Sequence, residues 1–408
     1  MEILFLSARY PPDVLGGGEI STRLTAEGLA STGANVTVLC GGNEDADDSA
    51  SGVRVVRSQT LRPWWGKPLL EEPVSRQMAS AVTELMRRFE LCPDVIHAHE
   101  FRSALSLSLL EHPRRFVTIR DYAPICGTTN NMWWDGSSCD GCFWPNVLFR
   151  CHRVVEASLP RKPFRVMQYK GNLGFRLRAF RRIPHHIYTS HVLQHKIEER
   201  LQPPVGVQSN VFPNPVDPAW LEPDPVPLPT TNTVCAIGRL ETTKGTDILL
   251  QALVQVHNAV PDVHLHIAGG GEQERYERFA DQLGIRSAIT FHGAISSNQA
   301  RDLIDRSAII VSPHLWEEPF GRAALEAGAR ARPLIASDLG GVRETPPMET
   351  AILISHNDVP ALAEALVRLL KDRERAVAMG NAARRHVATH FASDTFTRQL
   401  LEQYEASH

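Results

Sequence analysis

The sequence predicts an α/β protein with two doubly wound domains, each built on a parallel sheet covered by helices on both faces. Short runs of β-forming apolar residues alternate with helix-length segments in the first half of the chain, which is the pattern of such a sheet. The same alternation recurs more regularly in the second half. A proline-dense stretch without periodicity lies between the halves and indicates a semi-rigid linker.

The strand pattern sets the expected domain boundaries. In the first half we expect strands at 3–6, 35–39, 53–56, 95–97, 116–119 and 186–189. In the second half we expect strands at 233–237, 263–268, 288–291, 308–311, 333–336 and 351–354. These positions predict a first domain at 1–212, a linker at 213–232, a second domain at 233–390 and a C-terminal helix at 391–408.

Composition narrows the class of protein. The chain has 408 residues, 43% of them hydrophobic and 22% charged, which suits a soluble protein with two cores. The net charge of −3 gives no electrostatic argument for a nucleic-acid partner. We see no signal peptide and no apolar run of about 18 residues, and seven cysteines favour a reducing compartment. We therefore expect a cytoplasmic protein, with membrane contact only at the cytoplasmic face.

A turn at Pro319-Phe320-Gly321 leads from an apolar strand end into a helix-forming run, with a carboxylate on each side. Glu318 precedes the turn, and Glu326 lies inside the predicted helix. A helix N-terminus suits a phosphate because its N–H groups are unpaired and its dipole is positive. A carboxylate can accept both hydroxyls of a vicinal diol. The pattern therefore indicates a ligand with sugar hydroxyls at both ends and phosphate in the middle.

Two cations follow the first predicted strand of the second half, in the run GRLETTKG at 238–245. Arg239 offers a bidentate fork and Lys244 a point charge, and both stand on a loop at the carboxyl end of a strand. Such a pair can clamp a diphosphate. The alternative is a solvated loop.

The run from Glu318 to Glu326 resembles the E-x7-E signature of retaining glycosyltransferases of family 4. The run at 238–245 resembles the G-R-x4-K-G signature of the same family. The resemblance implies the GT-B fold, in which two Rossmann-like domains face a central cleft and the last helix crosses back to the first domain. It also implies that Glu318 holds hydroxyls of the donor sugar and Glu326 the ribose diol. The backbone N–H groups of Phe320 and Gly321 would face the donor, while Arg239 and Lys244 would stabilise the departing diphosphate.

Several glycines at strand ends match positions where this family approaches its donor. They are Gly17 and Gly18 after the first strand, and Gly238, Gly270 and Gly293 in the second half. Glycine lets the backbone come close to a ligand and leaves its N–H free. By the resemblance, the first two would face the donor phosphates and sugar across the cleft, and the last would lie near the base. A bare tight turn at 16–18 is the alternative.

Two further strand ends point toward an acceptor. His97 and His99 alternate onto one face of their strand, where a neutral imidazole can bind a hydroxyl or serve as a satisfied structural residue. The resemblance places His99 on the acceptor side of the cleft. Arg120 ends the next strand, where many family members carry a histidine that contacts the donor sugar. Arg120 could bind a hydroxyl, or pair with a carboxylate or phosphate on the substrate.

Four cysteines fall within 26 residues, at Cys126, Cys139, Cys142 and Cys151. Four thiolates suffice for a tetrahedral structural zinc, and C-x2-C is the usual chelating half. The outer spacings are irregular, so free or partly disulfide-linked thiols stay equally open and an iron–sulfur cluster remains a third choice. We expect this Cys-rich insertion, at about 126–151, to have no catalytic role.

A basic stretch follows, with eight Lys or Arg and no acid between 161 and 182. Interspersed aromatic and aliphatic residues give it an amphipathic character that can bind a membrane surface. A solvated helix packed on the first domain, or a basic wall for an anionic acceptor, are the alternatives.

The resemblance implies a glycosyltransferase of hexosyltransferase type that moves a sugar from a nucleoside-diphosphate sugar to an acceptor, with retention of anomeric configuration. The acceptor stays open among lipid-linked glycan, polysaccharide and small molecule. We expect no catalytic cofactor, because side-chain cations can replace a divalent ion at the diphosphate. A same-fold sugar-nucleotide epimerase or phosphorylase, or a non-catalytic nucleotide-sugar binder, are the alternative functions.

Overall fold

The structure is a computed structural model, and it describes residues 1–14, 16–133, 137, 139–151, 162–347 and 349–407. The chain divides into two compact units. The first contains Met1–Pro215 together with Ser393–His408, and the second contains Val216–Ala392. Each unit holds one sheet. In the described part of the chain, no helix is long and apolar enough to cross a membrane.

The first unit contains an eight-stranded sheet in the order β3-β4-β2-β1-β5-β6-β7-β8. All neighbouring strands are parallel except β3 and β4. The strands are β1 (Glu2–Ser7), β2 (Asn35–Gly41), β3 (Ala46–Ala50), β4 (Val53–Ser58), β5 (Val95–Ala98), β6 (Arg115–Ile119), β7 (His185–Tyr188) and β8 (Gln208–Val211). Its described α-helices are Gly17–Ser31, Glu71–Arg88, Phe101–Leu107, Trp144–Phe149, Lys162–Arg181, His191–Leu201 and Ser393–Glu405.

The last helix of the chain, Ser393–Glu405, packs into the core of the first unit. Phe396, Leu400 and Tyr404 are buried in one cluster with apolar residues of β1, β2, β4 and β5. Tyr404 also contacts the ring of His97 on β5 through its hydroxyl. Burying apolar side chains contributes roughly 25 cal/mol per Å² of covered surface, so this helix is part of the first unit's core.

The second unit contains a six-stranded, all-parallel sheet in the order β11-β10-β9-β12-β13-β14. The strands are β9 (Thr233–Ile237), β10 (His264–Ala268), β11 (Ile289–Phe291), β12 (Ile309–Ser312), β13 (Leu334–Ser337) and β14 (Ala351–Ile354). Its described α-helices are Pro218–Leu221, Thr246–Ala259, Gln273–Gln282, Ser297–Asp305, Arg322–Ala329, Val359–Lys371 and Arg373–His390. Short 3-10 helices lie at Thr242–Lys244, Arg286–Ala288 and Gly340–Glu344, and in the first unit at Gln59–Trp65.

Two strands of the first sheet have no counterpart among the predicted ones. β3 reads ADDSA, which has no β-forming signature, yet it pairs with β4 and Asp47 forms a bidentate contact with Arg54 at 2.9 and 2.7 Å. β8 reads QSNV and is an edge strand on β7. Both strands form because the backbone of a neighbouring strand is available for hydrogen bonding. The periodicity of their own sequence does not reveal this pairing.

Candidate functional site

The second unit brings a lysine and a carboxylate together where its strand order reverses. β9 and β12 are neighbours, and the connections from them run to opposite sides of the sheet, which is where open α/β sheets bind ligands. Lys244 follows β9 and Glu318 follows β12. Lys244 Nζ donates hydrogen bonds to both carboxylate oxygens of Glu318, at 3.0 and 3.1 Å. Two residues predicted from separate motifs therefore meet at one point.

This pair is largely shielded from solvent, since the exposed fractions of the Lys244 and Glu318 side chains are 26% and 18%. Burial raises the pKa of the Glu318 carboxyl, but electrostatic interaction with Lys244 and, next, with His314 outweighs burial, so the net pKa lies below its ordinary value. His314 is fully buried, with its ring nitrogens 2.9 Å from the carbonyl oxygen of Ser312 and 3.1 Å from that of Leu339. Glu318 is therefore a carboxylate held in place by its surroundings.

The helix after the turn, Arg322–Ala329, begins without a side-chain cap. Its N-cap residue is Gly321, in the left-handed region at φ 84°. Among the described residues, no acceptor faces the backbone N–H of Phe320 or of Gly321. The Phe320 ring is buried against Phe391 with ring centroids 6.0 Å apart, and its carbonyl accepts from Thr345 Oγ1 at 2.9 Å. The two N–H groups are therefore held in a fixed position and available to a ligand.

A second turn fixes the backbone of Glu318. Gly340 has φ 70°, and a Cβ on it would come within 2.5 Å of both the backbone nitrogen and oxygen of Glu318. The next residue, Gly341, donates its N–H to the Glu318 carbonyl at 2.6 Å. Only glycine at 340 permits this approach. The glycine turn therefore sets where the carboxylate stands.

The loops after β9, β10 and β11 are joined through their main chains. Gly238 N–H donates to the carbonyl of Ala268 at 2.9 Å, and Gly269 N–H donates to the carbonyl of Gly293 at 2.7 Å. A Cβ on Gly269 would lie 1.8 Å from the Gly238 carbonyl oxygen, whereas a Cβ on Gly270 would meet nothing closer than 3.8 Å. These contacts fix the loop that contains Gly270, and the donor contact predicted for Gly270 remains a prediction.

The other two predicted donor residues, Glu326 and Arg239, have contrasting surroundings. Glu326 lies 3.4 Å from Arg322 one helical turn away. Burial raises the pKa of Glu326 above its ordinary value, although Arg322 opposes the shift. Arg239 is exposed, and within the described ranges its guanidinium has no hydrogen bond or ion pair. Arg322 was missed by the sequence analysis; its i, i+4 spacing from Glu326 was the available signal.

In the first unit, Gly17 and Gly18 are not in a loop. The helix Gly17–Ser31 begins at the first of them, and the N-cap is Gly16. The Glu19 carboxylate accepts from the Gly16 N–H at 3.0 Å. Gly17 and Gly18 therefore lie at a helix N-terminus, one of whose neighbouring N–H groups is already bound by Glu19, and their predicted contact with the donor remains a prediction.

His99 and Arg120 meet at the carboxyl ends of β5 and β6. Arg120 Nη1 donates to the His99 carbonyl at 2.7 Å and lies 3.4 Å from His99 Nδ1. The His99 ring is 2% exposed and packs between Phe5 and His97 at centroid distances of 4.0 and 4.1 Å. Burial, then the proximity of His97 and Arg120, hold the pKa of His99 well below its usual range. His99 is therefore a neutral support beneath Arg120.

A cavity of about 350 Å³ opens beside the same two strand ends, entirely within the first unit. Its walls include Lys67, Arg102, Asp121, Arg165 and Arg176. Of these, Asp121 follows Arg120 directly, so the end of β6 was a signal for it. Lys67 and Arg102 carry no sequence signal, because the segments that contain them are distant in sequence from β6.

The four cysteines lie around Tyr169. Cys142 Sγ is 3.5 Å from the Tyr169 hydroxyl, and Cys139 and Cys151 are buried in one small apolar cluster with Trp133. Among the described residues, no cysteine forms a disulfide bond. Within the described residues, no group of three or more His, Cys, Asp or Glu side chains is arranged to hold a metal ion. The described residues therefore do not show a zinc site, which was one of the alternatives that the cysteine spacing left open.

The basic stretch forms the helix Lys162–Arg181, which we call the insertion helix. Arg161 lies outside the described residues. Val166, Leu173, Phe175, Ala179 and Phe180 bury its inner face. The packed-helix alternative therefore accounts for one side of the stretch, and the other side stays exposed.

Comparison with known proteins defines the class. The sequence model of Glycosyltransferase Family 4 matches residues 15–220, and that of Glycosyl transferases group 1 matches residues 222–386. Thermosynechococcus elongatus sucrose-phosphate synthase superposes with a TM-score of 0.75 at 22% identity, covering 99% of this chain and 98% of that one. Anabaena HepE in complex with UDP and glucose gives 0.69 at 17% identity, with 100% of both chains covered. The GT-B fold predicted from the sequence is confirmed.

The chain belongs to glycosyltransferase family 4. An uncharacterised glycosyltransferase of Methanocaldococcus jannaschii is 24% identical over 99% of this chain and 98% of its own length. The GDP-mannose-dependent alpha-(1-6)-phosphatidylinositol monomannoside mannosyltransferase of Mycobacterium tuberculosis is 32% identical over 42% of this chain. This chain spans 46% of that mannosyltransferase's length.

Proposed function

We propose that this chain transfers a sugar from a nucleoside-diphosphate sugar to an acceptor, with retention of anomeric configuration. The observation that carries the proposal is the pairing of Lys244 with Glu318 at 3.0 and 3.1 Å, at the reversal point of the second sheet. The uncapped start of the helix Arg322–Ala329 follows the same strand end. A nucleoside-diphosphate sugar has a phosphate part and a sugar part. The backbone N–H groups at the helix start and Lys244 suit the phosphates, and the Glu318 carboxylate suits the sugar hydroxyls.

The phosphate part of the donor suits the cations and the amides. As the bond between the anomeric carbon and the diphosphate breaks, negative charge grows on the leaving phosphate. Lys244, Arg239 and the N–H groups of Phe320 and Gly321 are the groups that would stabilise this charge. Each preorganised contact of this kind is worth about 3–4 kcal/mol in the transition state.

The sugar part of the donor suits the carboxylates. Glu318, kept ionised by Lys244, can accept hydroxyls of the sugar, because a carboxylate has about four acceptor sites. Glu326 would accept the ribose diol, with Arg322 at 3.4 Å holding its orientation. The leaving phosphate would take the acceptor's proton on the face it departs from, which is consistent with retention.

The names of similar proteins support the donor class and leave the base open. The mycobacterial relative is described as GDP-mannose-dependent, and the Anabaena structure contains UDP and glucose. Both ligands are a nucleoside diphosphate with a hexose. The base and the sugar are therefore the variables that an experiment should scan.

The first test is thermal unfolding of the protein with UDP-, GDP-, ADP- and dTDP-sugars. A ligand present at about 100 times its Kd stabilises the folded state by roughly 2.7 kcal/mol, so we expect one nucleotide family to raise the Tm. Failure of every nucleotide to raise the Tm would contradict the proposal.

Product analysis with the labelled donor identified in this way separates the alternatives. Transfer releases nucleoside diphosphate only when an acceptor is present. An epimerase changes the sugar without a second substrate, a phosphorylase requires phosphate, and a silent binder releases nothing. NMR of the anomeric proton in the first-formed product tests retention, and an inverted linkage would contradict that part.

A further inference from the structure

The cavity of the first unit has one wall made by a single face of the insertion helix. Arg165, Gln168, Tyr169, Asn172 and Arg176 all line it. Their spacing of three or four residues, repeated along the helix, places them on one face. The opposite wall comes from the ends of β5 and β6, through Arg102 and Asp121 respectively. The cavity therefore stands at the edge where parallel sheets bind ligands.

One cation of the cavity wall, Arg176, is fully occupied by contacts within the protein. Arg176 is 5% exposed and forms a two-point ion pair with Glu71, with Nε to Oε2 at 2.7 Å. Its Nη1 also donates to the carbonyl oxygens of Ala123 at 3.0 Å and Cys126 at 2.8 Å. The charge of Arg176 is thus balanced by Glu71, and this pair forms a neutral, rigid floor.

Three other cations on the cavity wall are not balanced. Within the described ranges, Lys67, Arg102 and Arg165 form no ion pair with a carboxylate. Arg102 lies 4.7 Å above the ring of Phe101, and Arg165 contacts the side-chain oxygen of Gln168 at 3.4 Å. These contacts orient the two guanidinium groups without neutralising them.

Two carboxylates near these cations do not neutralise them either. Glu100 accepts from the backbone N–H groups of Arg102 and Ser103 at 2.6 and 2.7 Å, so it caps the helix Phe101–Leu107. Asp121 accepts from the Ala123 N–H at 2.8 Å. Burial raises the pKa of Asp121 to about 6, although the Ala123 N–H, Arg176 and, more weakly, Arg102 act in the opposite direction. The cavity therefore carries an excess of positive charge.

We propose that this cavity is the acceptor site and that it binds a phosphate group of the acceptor through Lys67, Arg102 and Arg165. The assignment of an acceptor rests on the proposed function. Phosphate fits because three convergent cations match an anion with several oxygens, and guanidinium groups bind phosphate with directed pairs of hydrogen bonds. A volume of about 350 Å³ is that of a pocket for one small polar headgroup.

The rim of the cavity favours a phosphate carried by a lipid. Leu69 and Leu70, beside the lining residues Pro68 and Glu71, are 52% and 51% exposed, and Phe164, beside Arg165 on the insertion helix, is 57% exposed. The two parts of this rim are joined, because the Leu69 carbonyl accepts from Gln168 Nε2 at 2.7 Å. Apolar side chains flanked by cations suit an anionic bilayer surface, whereas a soluble phosphate ester would leave them in water.

The test measures binding of two phosphate sources to the full chain. The first arm is calorimetry with glycerol 3-phosphate. The second arm is co-sedimentation with vesicles of phosphatidylglycerol and phosphatidylcholine, compared with phosphatidylcholine alone. Binding in both arms, or in the second alone, supports the proposal and identifies a lipid source; binding in the first arm alone supports it with a soluble source. Absence of binding in both arms overturns it.

Variants locate the binding. Arg102→Gln and Arg165→Gln each remove one charge from the cavity, and we expect each to weaken binding about tenfold, since one charge-assisted hydrogen bond is lost. Arg178→Gln is the matched control: it lies on the same helix, outside the cavity, with its Nη2 3.7 Å from Glu72. Binding should change less than twofold in the control. Equal losses in all three variants would overturn the assignment.

The same samples separate this inference from the proposed function. Nucleotide binding depends on the second unit and should be unchanged in Arg102→Gln. Nucleotide binding without phosphate binding would overturn only the acceptor site. Phosphate binding without nucleotide binding would leave the cavity in place as an anion site and overturn the proposed function.

Discussion

At the strand ends of the two units stand two half-buried carboxyls, Glu318 and Asp121, whose pKa values are shifted in opposite directions. Glu318, in the second unit, is paired with Lys244 and its pKa is lowered. Asp121, in the first unit, accepts from the Ala123 N–H, and burial raises its pKa to about 6 against the opposing effects of that N–H and of Arg176 and Arg102. The second unit presents the Lys244–Glu318 ion pair on a backbone fixed by a glycine turn, while the first presents a cavity in which three cations form no ion pair with a described carboxylate.

The largest effect should come from breaking the pair in the second unit. Lys244→Ala removes the cation from Glu318 and from the proposed leaving phosphate, so we expect kcat to fall by about a thousandfold, or about 4 kcal/mol. The loss of folding stability should be smaller, on the order of 1–3 kcal/mol for one unpaired carboxylate. Turnover of labelled donor and urea unfolding measure the two. Lys371→Ala, at an exposed helix end, is the control and should leave turnover unchanged. Unchanged turnover in Lys244→Ala as well would contradict the proposed role of the Lys244–Glu318 pair.

A second prediction tests the rigidity of the same edge. Gly340 and Gly284 both have φ 70°, but only a Cβ on Gly340 would collide with the Glu318 backbone, whereas one on Gly284 would meet nothing within 4 Å. Gly284→Ala should lower the free energy of unfolding by about 1 kcal/mol, because an alanine is strained in the left-handed backbone conformation. Gly340→Ala should cost on the order of 3 kcal/mol and weaken nucleotide binding. Urea unfolding and thermal shift measure both; equal costs would show that the turn does not position Glu318.

The third prediction concerns the first unit and is the smallest. Because the folded-state pKa of Asp121 is about 6, against an ordinary value of 3.8, the folded protein binds this proton more tightly than the unfolded chain does. Its free energy of unfolding should therefore fall as pH rises from about 4 to about 6, and stay low above that. Asp121→Asn lacks this titration and keeps an oxygen for the Ala123 N–H.

The Asn variant should equal the parent protein below about pH 4 and exceed it above pH 6 by on the order of 2 kcal/mol. Urea unfolding at a series of pH values measures the difference. A variant that is less stable at every pH would mean that the Asp121 carboxylate is compensated by the cavity cations after all.

The sequence predicted the second unit better than the first, for a physical reason. Lys244, Glu318 and the turn at Gly321 each stand within a few residues of a strand end, so local motifs identified them before their contact was known. The two strands that were missed, β3 and β8, depend on pairing with a neighbour and not on their own composition.

The cavity of the first unit was beyond the reach of local motifs. Its wall brings together Lys67, Arg102, Asp121 and the insertion helix, which are separated by tens of residues. The sequence did indicate a basic helix and an arginine at the end of β6. It did not indicate that Arg176 would be neutralised by Glu71 while Lys67 and Arg165 stayed unbalanced. Such pairing is a property of tertiary packing.

The central claim is that the diphosphate of a nucleotide binds at the carboxyl edge of the second sheet. A crystal structure with the nucleoside diphosphate chosen by thermal shift tests it most directly. We predict phosphate oxygens within hydrogen-bond distance of Lys244 Nζ and of the Gly321 N–H. Phosphates bound elsewhere, with the Lys244–Glu318 pair and the helix start untouched, would contradict the account.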